Sequence, residues 1–232
     1  MSITMKAKTA LDILTSAAIV SACAAIVCSY LGVSWRRPQV QDAAPASVPT
    51  RPVSVKNNAT AGSFQAKAAI VSFSDFQCPF CGRFATATWP RLNEKYVRPG
   101  RVLFAFKHLP LEQIHALARP LAEFVECARA QDQFWPLHDY IFAHQRSLSL
   151  DMVSAWASTN GLGARRSREC TDQTSSPTVT ADAAEAAELG VRGTPTFFIG
   201  TLNADKTVTV TARLDGAVSL EDLEKPVGAL LK

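Results

Sequence analysis

SDFQCPFCGRF, residues 74–84, sets Cys78 and Cys81 two residues apart with Pro79 directly after the first cysteine. Such a pair is half of a zinc site, a structural staple or a redox couple, and each implies a different kind of protein. A structural zinc site takes four ligands, usually as two close pairs. Cys127 and Cys170 are far apart in the chain, and no histidine stands at ligand spacing from either. A staple across so short a loop contributes only about 2 kcal/mol by chain entropy. The pair makes more sense as chemistry.

The flanking sequence supplies a geometry for that chemistry. KAAIVSFSDF, residues 67–76, has the unbroken apolar centre of a buried strand. PFCGRFATATWPRLNEKYV, residues 79–97, reads as a helix with Pro79 at its first position and a kink or interruption at Pro90. Cys78 then stands at the helix start, where free N–H groups and the helix dipole favour a thiolate, the attacking species. Cys81, one turn on, is buried behind it and placed to resolve a mixed disulfide by attacking the Cys78 sulfur.

Working outward, RVLFAFKHLPL (101–111) reads as a second strand, so strand, helix, strand opens an α/β unit. Residues 115–189 are mostly helical in pattern, with Gly161, Gly163 and Gly190 as stops. TPTFFIG (194–200) and KTVTVTARLDG (206–216) suggest a hairpin, and SLEDLEKPVGALLK (219–232) a closing helix started by Ser219. No repeat is visible.

FSDFQCPFC (73–81), the long helical middle with VECARAQDQFWPLHDYIF (125–142), and LGVRGTPTFFI (189–199) together resemble the DsbA-type thiol:disulfide oxidoreductases. The resemblance covers residues 67–232 and implies a thioredoxin fold with a helical insertion at about 115–189. It implies catalysis by Cys78 and Cys81, and a substrate-binding position at Thr194 and Pro195 with a cis peptide between them, packed against the sulfurs. By local sequence alone, Pro195 reads equally well as an edge-strand or turn proline. Two features depart from the strongly oxidising archetype of the family. The residues between the cysteines are Pro-Phe rather than Pro-His, and Thr194 replaces a valine, as in the isomerase branch. The family spans potentials from oxidase to reductase, so membership alone leaves the direction open.

The chain has 232 residues, 47% of them hydrophobic, enough for one folded domain with a sizeable core. Its formal charge of +4 comes from the first 62 residues, where Lys6, Lys8, Arg36, Arg37, Arg51 and Lys56 outnumber Asp12 and Asp42. The remainder is neutral, with no basic patch, which excludes nucleic acid as an expected partner. ILTSAAIVSACAAIVCSYLGV, residues 13–33, is a charge-free run of 21 residues, long enough to span a bilayer. An uncleaved N-terminal transmembrane anchor, residues 1–35, is the preferred reading. A cleaved signal peptide is a second. A lipoprotein with Cys23 as lipid-bearing residue is a third, but apolar sequence continues past Cys23, and Cys23 and Cys28 read most simply as small apolar residues. Residues 36–66, rich in Pro, Ala and Ser, read as a tether. The thioredoxin-like domain is then 67–232, outside the cytoplasm.

The expected function is a membrane-anchored oxidoreductase that exchanges disulfides with cysteines of exported proteins, as an oxidase in preference to a reductase or isomerase. The resemblance implies a quinone-linked membrane partner for reoxidation. No cofactor and no metal are expected. A copper-handling C-x-x-C protein is the rival from another class, but the methionines that would help it are absent around the pair. In an oxidising compartment Cys127 and Cys170 are expected to form a structural disulfide, the alternative being two buried free thiols. Asp75 reads as a turn or capping residue, or else as a proton acceptor for Cys81. His108 and His115 read as structural histidines, or as part of the site's lining. Phe134, Trp135, Tyr140, Phe142 and Trp156 fall at helical spacings and read as core.

Overall fold

The computed structural model describes residues 47–173 and 175–232. Six strands form one sheet: β1 (Val53–Ser54), β2 (Ala59–Ala61), β3 (Ala68–Ser74), β4 (Val102–His108), β5 (Thr196–Leu202) and β6 (Thr207–Asp215), in the order β1-β6-β5-β3-β4-β2. Central β3 pairs parallel with β4 and antiparallel with β5. All seven residues of β3 and of β4 are buried, because helices cover both faces of the sheet, and that double cover is why both strands read as unbroken apolar runs. Ile70 and Phe104 face one layer, with Phe84, Trp89, Leu92, Leu223 and Val227. Ala69, Val71 and Phe73 face the other, with Ala186, Val191 and Phe198. At the β5–β6 irregularity Gly200 is required by space: a Cβ there would stand 2.0 Å from the Thr209 carbonyl oxygen.

The β3–β4 crossover is a helical rod, α1 (79–97). It alternates α-helical turns (Pro79–Arg83, Trp89–Leu92) with π-helical ones (Phe84–Thr88, Asn93–Val97). Pro90 therefore does not stop the helix. The wider turn ahead of it, closed by Trp89 N–H donating to Phe84 O, absorbs the proline that was expected to kink or interrupt this segment.

After β4 come α2 (Ala118–Arg129), α3 (Phe134–Ala143), α4 (Leu150–Thr159), α5 (Ala164–Asp172) and α6 (Pro177–Glu188), then β5, β6 and α7 (Leu220–Leu230). Their shared core holds Leu121, Phe124, Leu137, Ile141 and Val153, and includes both Cys78 and Cys81. Phe134 and Phe142 are buried in it, while Trp135, Tyr140 and Trp156 pack half-buried against it. α2 and α5 are joined by a disulfide between Cys127 and Cys170, with Cα atoms 5.5 Å apart. α6 returns to the sheet, where buried Lys107 donates to Asp182 at 2.7 Å and lies 2.8 Å from Glu185. Asp182 also accepts from the His108 N–H and from Asn58 Nδ2. Ser219 starts α7 with a reciprocal capping box to Asp222.

One boundary differs from the sequence reading. Residues 53–61, assigned to the tether, belong to the sheet: β1 lies on β6 at one edge and β2 on β4 at the other. Strands of two and three residues are too short to show a period of two. The run 13–33 and the cysteines in it, Cys23 and Cys28, lie outside the described residues. Among the described residues no helix is long and apolar enough to cross a membrane.

Candidate active site

The residues after β3 build a tight turn before they build a helix. Asp75 Oδ1 accepts from Gln77 N–H at 2.7 Å, and Cys78 N–H donates to Asp75 O at 3.1 Å. Cys78 is left extended (φ −66°, ψ 121°) as the residue ahead of α1, with Pro79 filling the position where no N–H is needed. No side-chain hydrogen bond caps this helix start, which leaves its first N–H groups beside the Cys78 sulfur.

The two sulfurs are unequal. Cys78 is lowered from 9.0 to about 5, chiefly by a hydrogen bond from the Cys81 thiol, against the opposing effect of burial. The Thr194 side chain and the backbone N–H groups of Cys81 and Phe80 add to the lowering. Cys81 is pushed up, first by burial, then by its hydrogen bond to Cys78 and by the charge forming there. Asp75 N–H lies 3.5 Å from the Cys81 sulfur. Both cysteines are free thiols in this state, and the site is primed for one of them to ionise alone.

The loop before β5 closes the other side. The Thr194–Pro195 peptide is cis, and the Cys78 thiol donates to the Thr194 carbonyl oxygen at 3.2 Å. In this thiol state the buried Thr194 hydroxyl has no hydrogen-bond partner, which leaves it free to donate to the Cys78 sulfur once that ionises.

Asp75 is a turn residue in this geometry. Its second oxygen accepts from Leu111 N–H at 2.9 Å and pairs with His115 Nδ1 at 2.8 Å, which ties the loop after β4 to the redox turn. His108 points elsewhere, into the core, where its Nε2 lies 3.0 Å from Glu126 Oε1. Glu126 is itself held by Arg129, and despite burial these two partners keep its carboxyl below the usual range. Phe80 and Ile114, at 51% and 73% exposed, are the large apolar side chains turned outward on the two segments that Asp75 joins. Among the described residues, no group of three or more His, Cys, Asp or Glu side chains is arranged to hold a metal ion.

Two glutamines belong to the site and carry no sequence signal that singles them out. Gln77 Oε1 accepts from Leu117 N–H, and Gln145 Nε2 donates to the carbonyls of Phe76 and Cys78 at 2.9 Å each. All three bonds join backbone to a side chain remote in sequence, and that leaves no local pattern to read.

A family model described as thioredoxin matches residues 54–218. Among solved structures, alpha-DsbA1 of Wolbachia pipientis superposes with a TM-score of 0.67 at 21% identity, over 77% of this chain and 93% of that one. BdbD of Bacillus subtilis, in its oxidised form, gives 0.65 at 18% identity, over 80% of this chain and 98% of that one. The chain is also similar to a Na(+)/H(+) antiporter, NhaA 3 of Salinispora tropica, at 33% identity over 149 residues. That match covers 64% of this chain and only 22% of the antiporter.

Proposed function

The chain belongs to the thioredoxin family, and from that premise we propose that it is a thiol:disulfide oxidoreductase that passes disulfides to cysteines of exported proteins. The inequality of Cys78 and Cys81 carries this reading. A client thiolate attacks Sγ of Cys78 in the Cys78–Cys81 disulfide, forming a mixed disulfide and expelling Cys81, which takes up a proton. A second client thiolate then attacks the client sulfur of that mixed disulfide and expels Cys78 as a thiolate. Two electrons pass to the pair, the client is oxidised and the pair is left reduced. A leaving thiol of low pKa departs readily, which favours Cys78 as the sulfur bound to the client.

The direction follows from the same asymmetry. Stabilising the Cys78 thiolate stabilises the reduced pair, and a stabilised reduced form makes an oxidant. We place the domain outside the cytoplasm, held by residues 13–33 in the membrane and reoxidised by a quinone-linked membrane protein. The bridge between Cys127 and Cys170 suits an oxidising compartment. A relative that joins a similar segment to a sodium/proton antiporter in one chain suits work at a membrane.

Equilibration of the purified full chain with glutathione, with Cys23 and Cys28 replaced by alanine, tests the reading. The expected potential lies well above the roughly −270 mV of thioredoxin. A value at or below that would reverse the direction to reduction. Cys81→Ser should accumulate mixed disulfides with exported proteins while Cys78→Ser accumulates none, and equal trapping by both would count against Cys78 as the client-facing sulfur.

A further inference from the structure

Gln145 opens the short turn Gln145–Ser147 after α3, and its side chain reaches back across the redox turn. Nε2 spends both hydrogens there, on the carbonyl oxygens of Phe76 and Cys78. Oε1, at the other end of the amide, lies over Gly82. A Cβ at Gly82 would stand 2.2 Å from Oε1 and 2.9 Å from the amide carbon. Glycine is disfavoured inside a helix, so its presence directly after Cys81 needs a reason. Room for the Gln145 amide is that reason.

We propose that Gln145 is a positioning residue for thiol–disulfide exchange: its amide pins the backbone on both sides of Gln77, and Gly82 admits it. The inference rests on the function proposed above and deepens it. Gln145 acts through the backbone, both of its donated bonds going to carbonyl oxygens and neither to a sulfur. By holding the Cys78 carbonyl it keeps the N–H groups of Phe80 and Cys81 directed at the sulfur they stabilise. It also ties the helical insertion directly to the reacting residue, so that the end of α3 and the start of α1 move as one.

The test uses the full chain with Cys23 and Cys28 replaced by alanine. Thiolate absorbance against pH gives the Cys78 titration, and glutathione equilibrium gives the oxidising strength. Gln145→Ala should raise the Cys78 midpoint by about half a pH unit, the size of effect that a nearby dipole commonly has. The glutathione equilibrium should become about threefold less oxidising in step. Gly82→Ala should give the same shift with Gln145 still present, because the added methyl displaces the flexible end of that side chain. The double variant should match either single one. Gln145→Glu, of equal length but without N–H donors, should shift further than Gln145→Ala. A merely structural role would lower unfolding stability and leave the Cys78 titration unmoved, and that result overturns the proposal. Additive shifts from Gln145→Ala and Gly82→Ala overturn it too. If Gln145→Ala does not fold, Gly82→Ala decides alone. A wild-type chain that does not equilibrate with glutathione defeats the underlying function instead, so the two failures are distinct.

Discussion

At pH 5 a free cysteine with a pKa of about 8.5 is only about 0.03% thiolate. Cys78, lowered to about 5, is half ionised at that pH. The advantage in thiolate is therefore about 1,600-fold. A thiolate of lower pKa is also a weaker nucleophile, by about 40-fold over this span with a Brønsted coefficient near 0.45. The net expectation is alkylation of Cys78 about 40 times faster than a free thiol at pH 5. At pH 7 the thiolate advantage shrinks to about 30-fold and the two factors nearly cancel, so acid conditions are where the difference shows. The assay is iodoacetamide labelling of the reduced chain at a series of pH values, read peptide by peptide in a mass spectrometer. The Cys78 rate should be half-maximal near pH 5 and flat above about 6.5, with Cys81 unlabelled throughout because burial pushes it up. A midpoint at or above 8.5, or Cys81 labelled first, refutes the account of the site's electrostatics. The same shift links to stability. Between about 5 and the free value of about 8.5 the unfolded chain holds a proton on Cys78 that the folded reduced chain lacks. The reduced form should gain stability as pH rises through that window and lose it as pH falls through 5, while the disulfide form shows no such slope.

Removing the Cys127–Cys170 bridge by a double alanine substitution should lower stability by about 4 kcal/mol in urea unfolding, since it closes a loop of 43 positions. The glutathione equilibrium of Cys78 and Cys81 should not change; a shift there would show that the bridge acts on the redox turn. Asp182→Ala should cost about 3 kcal/mol, because it leaves buried Lys107 with Glu185 alone and strips the partner from the His108 N–H. A loss under about 1 kcal/mol would mean that water reaches Lys107.

Much of the frame was legible because it rests on local cues. β3 is an unbroken apolar run, Pro79 marks the start of α1, and Ser219 with Asp222 caps α7. What was not legible depends on partners far away. β1 exists because Val53 meets Val208, and β2 because Ala59 meets Phe106, and neither strand has the length to announce itself. The π-helical turns around Pro90 change the residues per turn without changing which residues are apolar. Asp75 and His115 were both readable as candidates, but their pairing spans 40 positions and emerges only when the loop after β4 folds back.

That long-range wiring explains why the Pro-Phe dipeptide need not set reactivity by itself. Neither Pro79 nor Phe80 carries a charge, and the groups that favour the Cys78 thiolate are the Cys81 thiol, the Thr194 side chain and two backbone N–H groups. Such dipoles act over short distances and depend on direction, so their effect is only as constant as the backbone that aims them. The backbone here is held from three sides. Asp75 fixes Gln77 and Leu111, Gln77 fixes Leu117, and Gln145 fixes Phe76 and Cys78. Two of those three side chains are uncharged, and the third is buried and already engaged in three hydrogen bonds. The thiolate is therefore supported by aimed dipoles and not by a neighbouring cation. Under the proposed function, that leaves the half-exposed Phe80 side chain free to meet clients while its backbone N–H supports the thiolate.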